Sequence, residues 1–319
     1  MALQVLTNDY GNPFPNGTEW TQSNITDRFA YDIKRFKKII VAATDGGIYY
    51  SADGKVWTLS NMIYVCINFH CANGIIVAAT ASKGLYYSTD GINWTQTNIT
   101  SGGFNAVYNA NGIWVAGSSK NLGLYYSTDG INWTQTNITS GDFYCFRNIN
   151  GLFITGELYS TDGKTWEWSN VNCKFYDICD DNGDSSIIVG ATSLGIYFSV
   201  DNGKTWEQSN VTIGYFKALY YHNGLWVAGG DDNYSMGLRY SLDGMEWTQS
   251  NITYGYIHAI LNACGIWIGS FNYSVDGKNW SHTNLYPNIL TKSIYNDNGI
   301  WILGTNGNGL YYSTSWEAA

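Results

Sequence analysis

Seven aspartates of this sequence occur in one repeated pattern, Ser-x-Asp-Gly-x-x-Trp, in which the fifth copy carries one extra residue. Carboxylates are common acid–base catalysts, but seven equivalent acids around a repetitive chain do not suit a catalytic site. An Asp-Gly pair suits a tight turn, because the carboxylate can accept hydrogen bonds from nearby backbone N–H groups and glycine tolerates a positive φ. We therefore predict structural roles for Asp53, Asp90, Asp129, Asp162, Asp201, Asp243 and Asp276, and for the anchoring Trp57, Trp94, Trp133, Trp166, Trp206, Trp247 and Trp280.

The other acidic residues offer little for glycoside hydrolysis, which uses two carboxylates about 5 to 10 Å apart. Four of the six glutamates lie beside a tryptophan of the pattern, where strand alternation points them outward: Glu19, Glu167, Glu207 and Glu246. Glu157 is the only glutamate on a connection between predicted strands, and an isolated acid such as Glu157 or Asp142 is typical of a solvated loop. The sequence therefore predicts no catalytic residue.

Histidine and cysteine show no metal-binding spacing. The four histidines are scattered, and the six cysteines occupy positions that differ from one copy of the repeat to the next: His70, His222, His258 and His282, and Cys66, Cys71, Cys145, Cys173, Cys179 and Cys264. A zinc site or a repeating disulfide framework would show a recurring spacing. We expect buried free thiols, synthesis in a reducing compartment, no metal and no cofactor. Binding of a Ca²⁺ ion at the acid-rich stretches 180–184 and 230–235 stays an alternative, although neither stretch matches a calcium loop.

The composition excludes some partners. The 319 residues are 16% aromatic but only 13% charged, and the formal net charge is -9. Nucleic-acid binding needs a basic face, so we expect no nucleic-acid partner, and the cluster of Lys34, Arg35, Lys37 and Lys38 is interpreted as a solvated hairpin. No apolar run approaches the roughly 20 residues that span a bilayer, and the N-terminal residues lack the layout of a signal peptide. We expect a soluble protein, either on a virion or extracellular surface or in the cytoplasm.

Internal repetition defines the elements that must position these residues. Counting from Trp20, successive tryptophans of the repeat are separated by 37, 37, 39, 33, 40, 41 and 33 residues. Each unit contains four short apolar or alternating runs joined by Asn-Gly and Asp-Gly dipeptides, which are strong hairpin signals. The first run carries a small residue at one position, Ala106, Cys145, Ala218, Ala259 or Ser293, as expected for a strand that lines a crowded centre. This period and texture predict the blades of an all-β propeller.

The two chain ends predict how the ring closes. Seven units are complete, whereas the eighth stops after its third strand, and residues 16–26 (NGTEWTQSNIT) closely match the missing fourth strand. We predict one domain over 1–319, a β-propeller of eight four-stranded antiparallel blades in which 17–26 supply the outer strand of the last blade. Seven blades are the alternative.

The repeated pattern resembles the Asp-box, or BNR repeat, of sialidases and many other propellers, over essentially the whole chain. In such enzymes the Asp-box turns lie away from the active site, so the resemblance implies the fold and not the activity. A sialidase needs an arginine triad that clamps the substrate carboxylate. Only four arginines are present, and the early Arg-Ile-Pro motif of the family is absent: Arg28, Arg35, Arg147 and Arg239.

Function is predicted from the connections that vary between copies. Variable loops on a repeated scaffold are typical of binding sites, and we predict a recognition rim of Lys120, Asn121, Asp231, Asp232, Tyr234, Tyr254, Tyr256 and Asn306. The predicted function is non-catalytic recognition of a cell-surface glycan or protein, as in a phage virion component such as a tail fibre or in a secreted adhesin. A glycosidase or sialidase-like hydrolase with an unrecognised site, and a structural part of a larger assembly, are the alternatives.

Overall fold

The computed structural model describes residues 19–119, 121–181, 183, 187–230, 236–285, 289–297 and 299–313. Within these ranges the regular structure consists of strands, arranged in eight four-stranded sheets. Every pairing between strands is antiparallel, and each sheet is one blade.

The blades follow one another along the chain. Blade 1 contains β2 (Ala30–Phe36), β3 (Ile39–Thr44), β4 (Gly47–Ser51) and β5 (Thr58–Leu59). Blade 2 contains β6 (Cys66–Ala72), β7 (Ile75–Thr80), β8 (Leu85–Ser88) and β9 (Thr95–Gln96), and blade 3 contains β10 (Phe104–Ala110), β11 (Ile113–Ser118), β12 (Leu124–Ser127) and β13 (Thr134–Gln135). Blade 4 contains β14 (Arg147–Ile149), β15 (Leu152–Ile154), β16 (Leu158–Ser160) and β17 (Glu167–Trp168).

The second half repeats the order. Blade 5 contains β18 (Phe175–Asp180), β19 (Ile188–Thr192), β20 (Gly195–Ser199) and β21 (Glu207–Gln208), and blade 6 contains β22 (Phe216–His222), β23 (Leu225–Gly230), β24 (Leu238–Ser241) and β25 (Thr248–Gln249). Blade 7 contains β26 (Ile260–Ala263), β27 (Ile266–Gly269), β28 (Asn272–Ser274) and β29 (Ser281–His282). Blade 8 contains β30 (Thr291–Asp297), β31 (Ile300–Thr305) and β32 (Leu310–Ser313).

Blade 8 is completed by the N-terminal part of the chain. Strand β1 (Thr21–Gln22) pairs antiparallel with β32, so that Thr21 lies opposite Tyr312 and Gln22 opposite Tyr311. The predicted eight-bladed fold, closed by an N-terminal strand, is confirmed, and the seven-bladed alternative is wrong. Residues 17 and 18 of the predicted closing segment lie outside the described residues.

The hydrophobic core is divided among the junctions between blades. Eight clusters of buried side chains are present among the described residues, and each joins two neighbouring blades. At the closing junction, for example, Trp57 and Ile40 of blade 1 pack with Ile302 and Leu310 of blade 8. A blade therefore buries its two faces only when both neighbours are present, as in other repeat proteins.

A reciprocal pair of hydrogen bonds also joins every two neighbouring blades. The amide of Asn98, just after the outer strand of blade 2, accepts a bond from the backbone N–H of Trp133 at 2.8 Å and donates to its carbonyl oxygen at 2.9 Å. The same Asn–Trp clamp recurs around the ring, between Asn24 and Trp57, Asn61 and Trp94, Asn137 and Trp166, Asn170 and Trp206, Asn210 and Trp247, Asn251 and Trp280, and Asn284 and Trp20. The clamps explain why the copies share an asparagine that also creates Asn-x-Ser/Thr triplets.

Two details differ from the sequence-based expectations. Lys34 is not part of a solvated hairpin, because it lies on β2 with its Nζ 2.9 Å from Asp32 Oδ2, and Arg35 pairs with Asp297 across the closing junction. All six cysteines are free, but Cys264 is exposed, because it occupies the positive-φ position of a β-turn that asparagine occupies in most other blades.

Candidate functional site: the central channel

The first strands of the blades enclose a channel of about 510 Å³ along the axis of the ring. The small residues predicted for the ring centre all line it, which confirms that part of the sequence analysis: Ala106, Cys145, Ala218, Ala259 and Ser293. Short side chains at these positions leave room for larger ones in the layers above and below. The channel therefore has a middle layer that contains several short side chains, between layers of larger ones.

A β-bulge at the start of the first strand aims side chains at one mouth of the channel. In blade 6, Phe216 pairs with Gly230 and Ala218 with Gly229, which leaves Lys217 as the extra residue. The same register shift makes Tyr31, Tyr176 and Lys292 the extra residues in blades 1, 5 and 8, and Ile67 and Asn105 those in blades 2 and 3. Bulges commonly redirect a side chain near a functional site, and here four of the six extra residues line the channel, all except Ile67 and Asn105.

The mouth has an aromatic side and a cationic side. Tyr144 and Tyr176, from blades 4 and 5, lie with their ring centroids 5.4 Å apart, and Lys217 Nζ lies 3.3 Å from the centroid of the Tyr176 ring. Blades 6, 7 and 8 then present Lys217, His258 and Lys292 in succession, and Lys292 Nζ lies 3.1 Å from His258 Nδ1. Such a surface suits an anionic group beside a flat or apolar one.

Two aspartates occupy the middle layer in blades 1 and 5, which lie opposite each other in the ring. Asp32 Oδ2 accepts hydrogen bonds from Lys34 Nζ at 2.9 Å and from Asn68 Nδ2 at 2.8 Å. Asp177 accepts one from Arg147 at 2.9 Å. Burial raises the pKa of Asp177, and the neighbouring Arg147 opposes this effect. Both carboxylates therefore bind cations of the protein itself.

Side chains of the middle layer also form hydrogen bonds between neighbouring blades. Asp32 accepts a hydrogen bond from the backbone N–H of Phe69 in blade 2 at 3.2 Å, and Asp177 accepts one from Leu219 in blade 6 at 3.0 Å. Asn68 accepts a bond from Val107 of blade 3 at 3.0 Å. In each case a channel side chain binds the backbone of the next blade, so these side chains are fixed in place.

Two positions further along the first strands, the channel lining is basic, with Lys34 and Arg147, but it also contains the neutral His70. Burial first, and then the charges of Lys34 and Arg147, lower the pKa of His70 to about 4. Its ring packs on Tyr108 at 4.8 Å and meets the edge of Trp114 at 6.0 Å. At neutral pH the His70 ring is therefore uncharged, and it lines the channel as an aromatic side chain.

Across the described residues that line the channel, four cationic side chains face two carboxylates: Lys34, Arg147, Lys217 and Lys292 against Asp32 and Asp177. The channel has a formal excess of two positive charges, whereas the whole chain has a net charge of -9. A cavity lined by one sign of charge focuses the electric field and attracts ligands of the opposite sign.

Four of the eight residues of the predicted recognition rim lie within the described part of the chain. Lys120, Asp231, Asp232 and Tyr234 fall outside the described residues. Asn121 is exposed, with a φ of 65°, and its backbone N–H donates to Asp142 at 2.8 Å. Tyr254 is 55% exposed, Tyr256 packs edge-on against His258 at 6.0 Å, and the backbone N–H of Asn306 donates to Leu290. The rim stays a prediction, and the described channel lining contains none of its members.

Apart from the small residues, sequence reasoning missed the channel lining because it is spread over eight copies, with two to four residues in each. Lys34, His70, Tyr108 and Arg147 occupy the same position of the first strand in blades 1 to 4, and each copy alone looks like an ordinary surface strand. A column-by-column comparison of the first strands would have shown Lys34 and Arg147 at one position, Lys217 and Lys292 at a second, and Asp32 and Asp177 at a third. Small residues in the neighbouring column were the available signal.

The seven aspartates of the repeated turn bind their own backbone. Asp129 Oδ1 accepts hydrogen bonds from the N–H groups of Ile131 and Asn132 at 2.8 and 2.7 Å and from Ser127 Oγ at 2.8 Å. Burial alone would raise the pKa of Asp129, but these bonds lower it strongly. Gly130, at a φ of 75°, lies so close to Ile75 that a Cβ atom would clash. An acid with a depressed pKa and occupied oxygens is a poor proton donor.

Among the described residues, no group of three or more histidine, cysteine or acidic side chains is placed to hold a metal ion. Nor does this part of the chain contain a helix of the length and apolarity that crossing a membrane requires.

Comparison with known proteins finds no match by sequence family, but many solved structures have a similar fold. No protein-family model and no curated protein matches the chain. The computationally designed Ika8 protein matches with a TM-score of 0.72 at 9% identity, over 92% of this chain and 98% of that one. The chain has a β-propeller fold. YCF48 from Cyanidioschyzon merolae matches the propeller with a TM-score of 0.58 at 14% identity, over 94% of this chain and 99% of that one.

Two further matches bear on function without deciding it. A second structure of YCF48 is bound to D1 peptide, and it matches with a TM-score of 0.57 at 15% identity, over 99% of both chains. The GH74 enzyme of Niastella koreensis has a TM-score of 0.55 and 19% identity, over 92% of this chain but only 44% of the enzyme. At these identities the likeness shows the fold alone, so membership of the Asp-box group stays a prediction.

Proposed function

We propose that this propeller is a non-catalytic recognition module that binds an anionic group of a cell-surface glycan or a protein at the mouth of its central channel. The observation that carries the proposal is the concentration of charge. Four of the sixteen lysines and arginines line this one channel, in a chain whose net charge is strongly negative. A ligand carboxylate placed between Lys217 and Lys292 would meet cations on one side and the Tyr144–Tyr176 ring pair on the other.

The fold supports a binding role. The rigid middle layer fixes the channel, and YCF48, a propeller of similar size, has a structure with bound peptide. Placement on a virion or as a secreted adhesin rests on the composition, which is poor in charge and rich in tyrosine and asparagine. A structural role in a larger assembly would use the same surface without a soluble ligand.

The test is a binding screen with matched neutral and acidic ligands. The purified chain is applied to an array of uncharged and carboxylated glycans and to acidic and neutral peptides, at two salt concentrations. We expect saturable binding of carboxylated ligands that weakens with salt and falls at least tenfold in the double variant Lys217→Ala/Lys292→Ala. Lys164→Ala/Lys204→Ala, which removes two lysines from the repeated turns at the opposite face, is the matched control. Binding that ignores both salt and the channel variant would overturn the proposal.

Glu157 favours a second candidate function, a glycoside hydrolase. Burial first, opposed by Lys174 and then reinforced by Asp142, raises the pKa of Glu157 to about 7, a value suited to a general acid at neutral pH. Asp142, held 3.6 Å from Lys174, would serve as the second carboxylate. A fluorogenic glycosidase and sialidase panel between pH 4 and 8 decides the matter. Turnover that Glu157→Gln abolishes would establish this function, and no turnover across the panel would remove it.

A further inference from the structure

A second cavity lies between blades 6 and 7, on the face that carries the repeated Asp-Gly turns. It has a volume of about 350 Å³, within the range of small-ligand sites, and its walls include His222, Leu242, Asn262, Trp267, Val275 and Lys278. We call it the blade 6–7 pocket. The chain enters strand β22 at Phe216, near the channel mouth, and leaves it at His222, so the pocket and the mouth lie at opposite ends of the blade.

Asn262 gives the pocket an unsatisfied polar group. Its side chain is only 6% exposed, and within the described part of the structure neither its Oδ1 nor its Nδ2 atom has a hydrogen-bond partner. A buried amide without partners is costly and rare in native proteins. Because an asparagine amide presents an acceptor and two donors side by side, a group that satisfies it must both donate and accept hydrogen bonds.

Exposed aliphatic side chains flank the pocket. The second residue of the repeated turn is alanine or threonine in the first four copies, but it is Val200, Leu242 and Val275 in the last three. Leu242 and Val275 line the pocket, and they are 70% and 67% exposed. Two aliphatic groups held in solvent at equivalent positions of neighbouring blades provide a place for an apolar group next to the Asn262 amide.

The remaining wall is polar but carries no net charge. The half-buried His222 ring lines the pocket and meets Trp267 edge-on at 6.1 Å. Asp276 and Lys278 contribute one charge of each sign. A neutral ligand with several hydroxyl groups fits this wall better than an ion does.

We propose that the blade 6–7 pocket binds an N-acetylated sugar residue. Asn262 Nδ2 donates to the acetamido carbonyl oxygen, a neighbouring hydroxyl of the sugar donates to Asn262 Oδ1, and the acetyl methyl group packs between Leu242 and Val275. The sugar hydroxyls face His222. This site goes beyond the proposed function, because it lies on the other face of the ring and recognises a neutral group.

The first experiment compares two disaccharides that differ mainly in the acetamido group. Binding of N,N′-diacetylchitobiose and of cellobiose is measured by calorimetry and by saturation-transfer NMR. We expect chitobiose to bind at least tenfold more tightly than cellobiose, with the largest transfer at the acetyl methyl groups. Equal binding of the two sugars would overturn the proposal, and so would the absence of chitobiose binding at millimolar concentration.

Variants then locate the site. Asn262→Leu should reduce chitobiose binding at least tenfold, whereas Asn148→Leu, at the equivalent position of blade 4 and with an equally unpartnered Nδ2, should leave it unchanged. If Asn262→Leu does not fold, Leu242→Thr/Val275→Thr replaces it, since threonine occupies this turn position in other copies. Unchanged binding in a folded pocket variant would contradict the assignment.

The channel provides the last control. The double variant Lys217→Ala/Lys292→Ala should bind chitobiose as the unchanged protein does, because both lysines lie at the opposite end of the blades. Loss of chitobiose binding in that variant would place the sugar in the channel and overturn this inference. Loss of anionic-ligand binding alone would concern only the proposed function, so the two can fail independently.

Discussion

Asn284 and Trp20 are 264 residues apart, yet the side chain of one binds the backbone of the other at both hydrogen-bonding groups. The N–H of Trp20 donates to Asn284 Oδ1 at 3.0 Å, and Asn284 Nδ2 donates to the carbonyl oxygen of Trp20 at 3.2 Å. This clamp joins blade 7 to the N-terminal strand of blade 8. It is the same contact that joins every other pair of blades, with the difference that here it ties the N-terminal strand to a blade formed late in the chain.

Removing this clamp should weaken the whole ring. We expect Asn284→Ala to lower the free energy of unfolding by about 1 to 3 kcal/mol, because two partly buried bonds are lost and the Trp20 N–H is left without a partner. Asn284→Asp keeps the acceptor and should cost less. The measurement is the urea midpoint, with Asn137→Ala as the matched clamp inside the chain. An Asn284→Ala midpoint equal to that of the unchanged protein would contradict a role for the closing clamp.

Deleting residues 1–26 should expose both the edge of β32 and the apolar face of blade 8. An unpaired edge strand is a template for association, and Trp20 and Ile25 would leave two of the core clusters. We expect aggregated or oligomeric protein in size-exclusion chromatography. A monomer that still unfolds in one cooperative transition would show that β1 is not needed for closure.

Glu157 should make the protein less stable as the pH rises. Its pKa is about 7 in the folded chain against about 4.5 when unfolded, so the folded state binds more protons between those values. The free energy of unfolding therefore falls from pH 4.5 to pH 7. Glu157→Gln removes this dependence and should be more stable than the unchanged protein at pH 8, by about 1 kcal/mol after allowance for solvent screening. Thermal unfolding at pH 4 and 8 provides the check, and the gain should vanish at pH 4.

His70 should have the opposite effect, at acidic pH. Its pKa is about 4 in the folded chain and about 6.5 unfolded, so the unfolded state binds more protons in that window. Stability that is present above pH 6.5 is lost as the pH falls towards 4. In His70→Gln, the decrease in the free energy of unfolding between pH 7 and pH 4.5 should be smaller by about 1 to 2 kcal/mol. Urea titrations at the two pH values measure it. Parallel pH profiles for the two proteins would show that His70 is not held neutral.

The sequence predicted the scaffold well because its signals are local. Asn-Gly and Asp-Gly turns, the small residue of the first strand and the resemblance of residues 16–26 to an outer strand each depend on a few neighbouring positions, and repetition made them visible. The number of blades followed from counting these signals and placing the two chain ends together.

The channel could not be found in this way because its chemistry is distributed. Lys217 and Lys292 are single cations in separate copies, and only a bulge in each first strand turns them to the same mouth. The unpartnered amide of Asn262 was equally hidden, since asparagine recurs at that position as Asn109, Asn148 and Asn296. What distinguishes Asn262 is the pair of aliphatic side chains beside it, which come from the turns of two different blades.

The Asn–Trp clamp does not determine the number of blades. It is chemically the same at every junction, so it would be satisfied equally well in a ring with one blade more or one fewer, and a duplicated unit of the sequence would bring its own asparagine and tryptophan with it. Ring size must therefore depend on the side chains packed between blades, such as Phe175 and Trp206, which belong to the cluster between blades 4 and 5. In this protein, different residues therefore hold neighbouring blades together and determine the number of blades. A substitution can change one of these properties without changing the other.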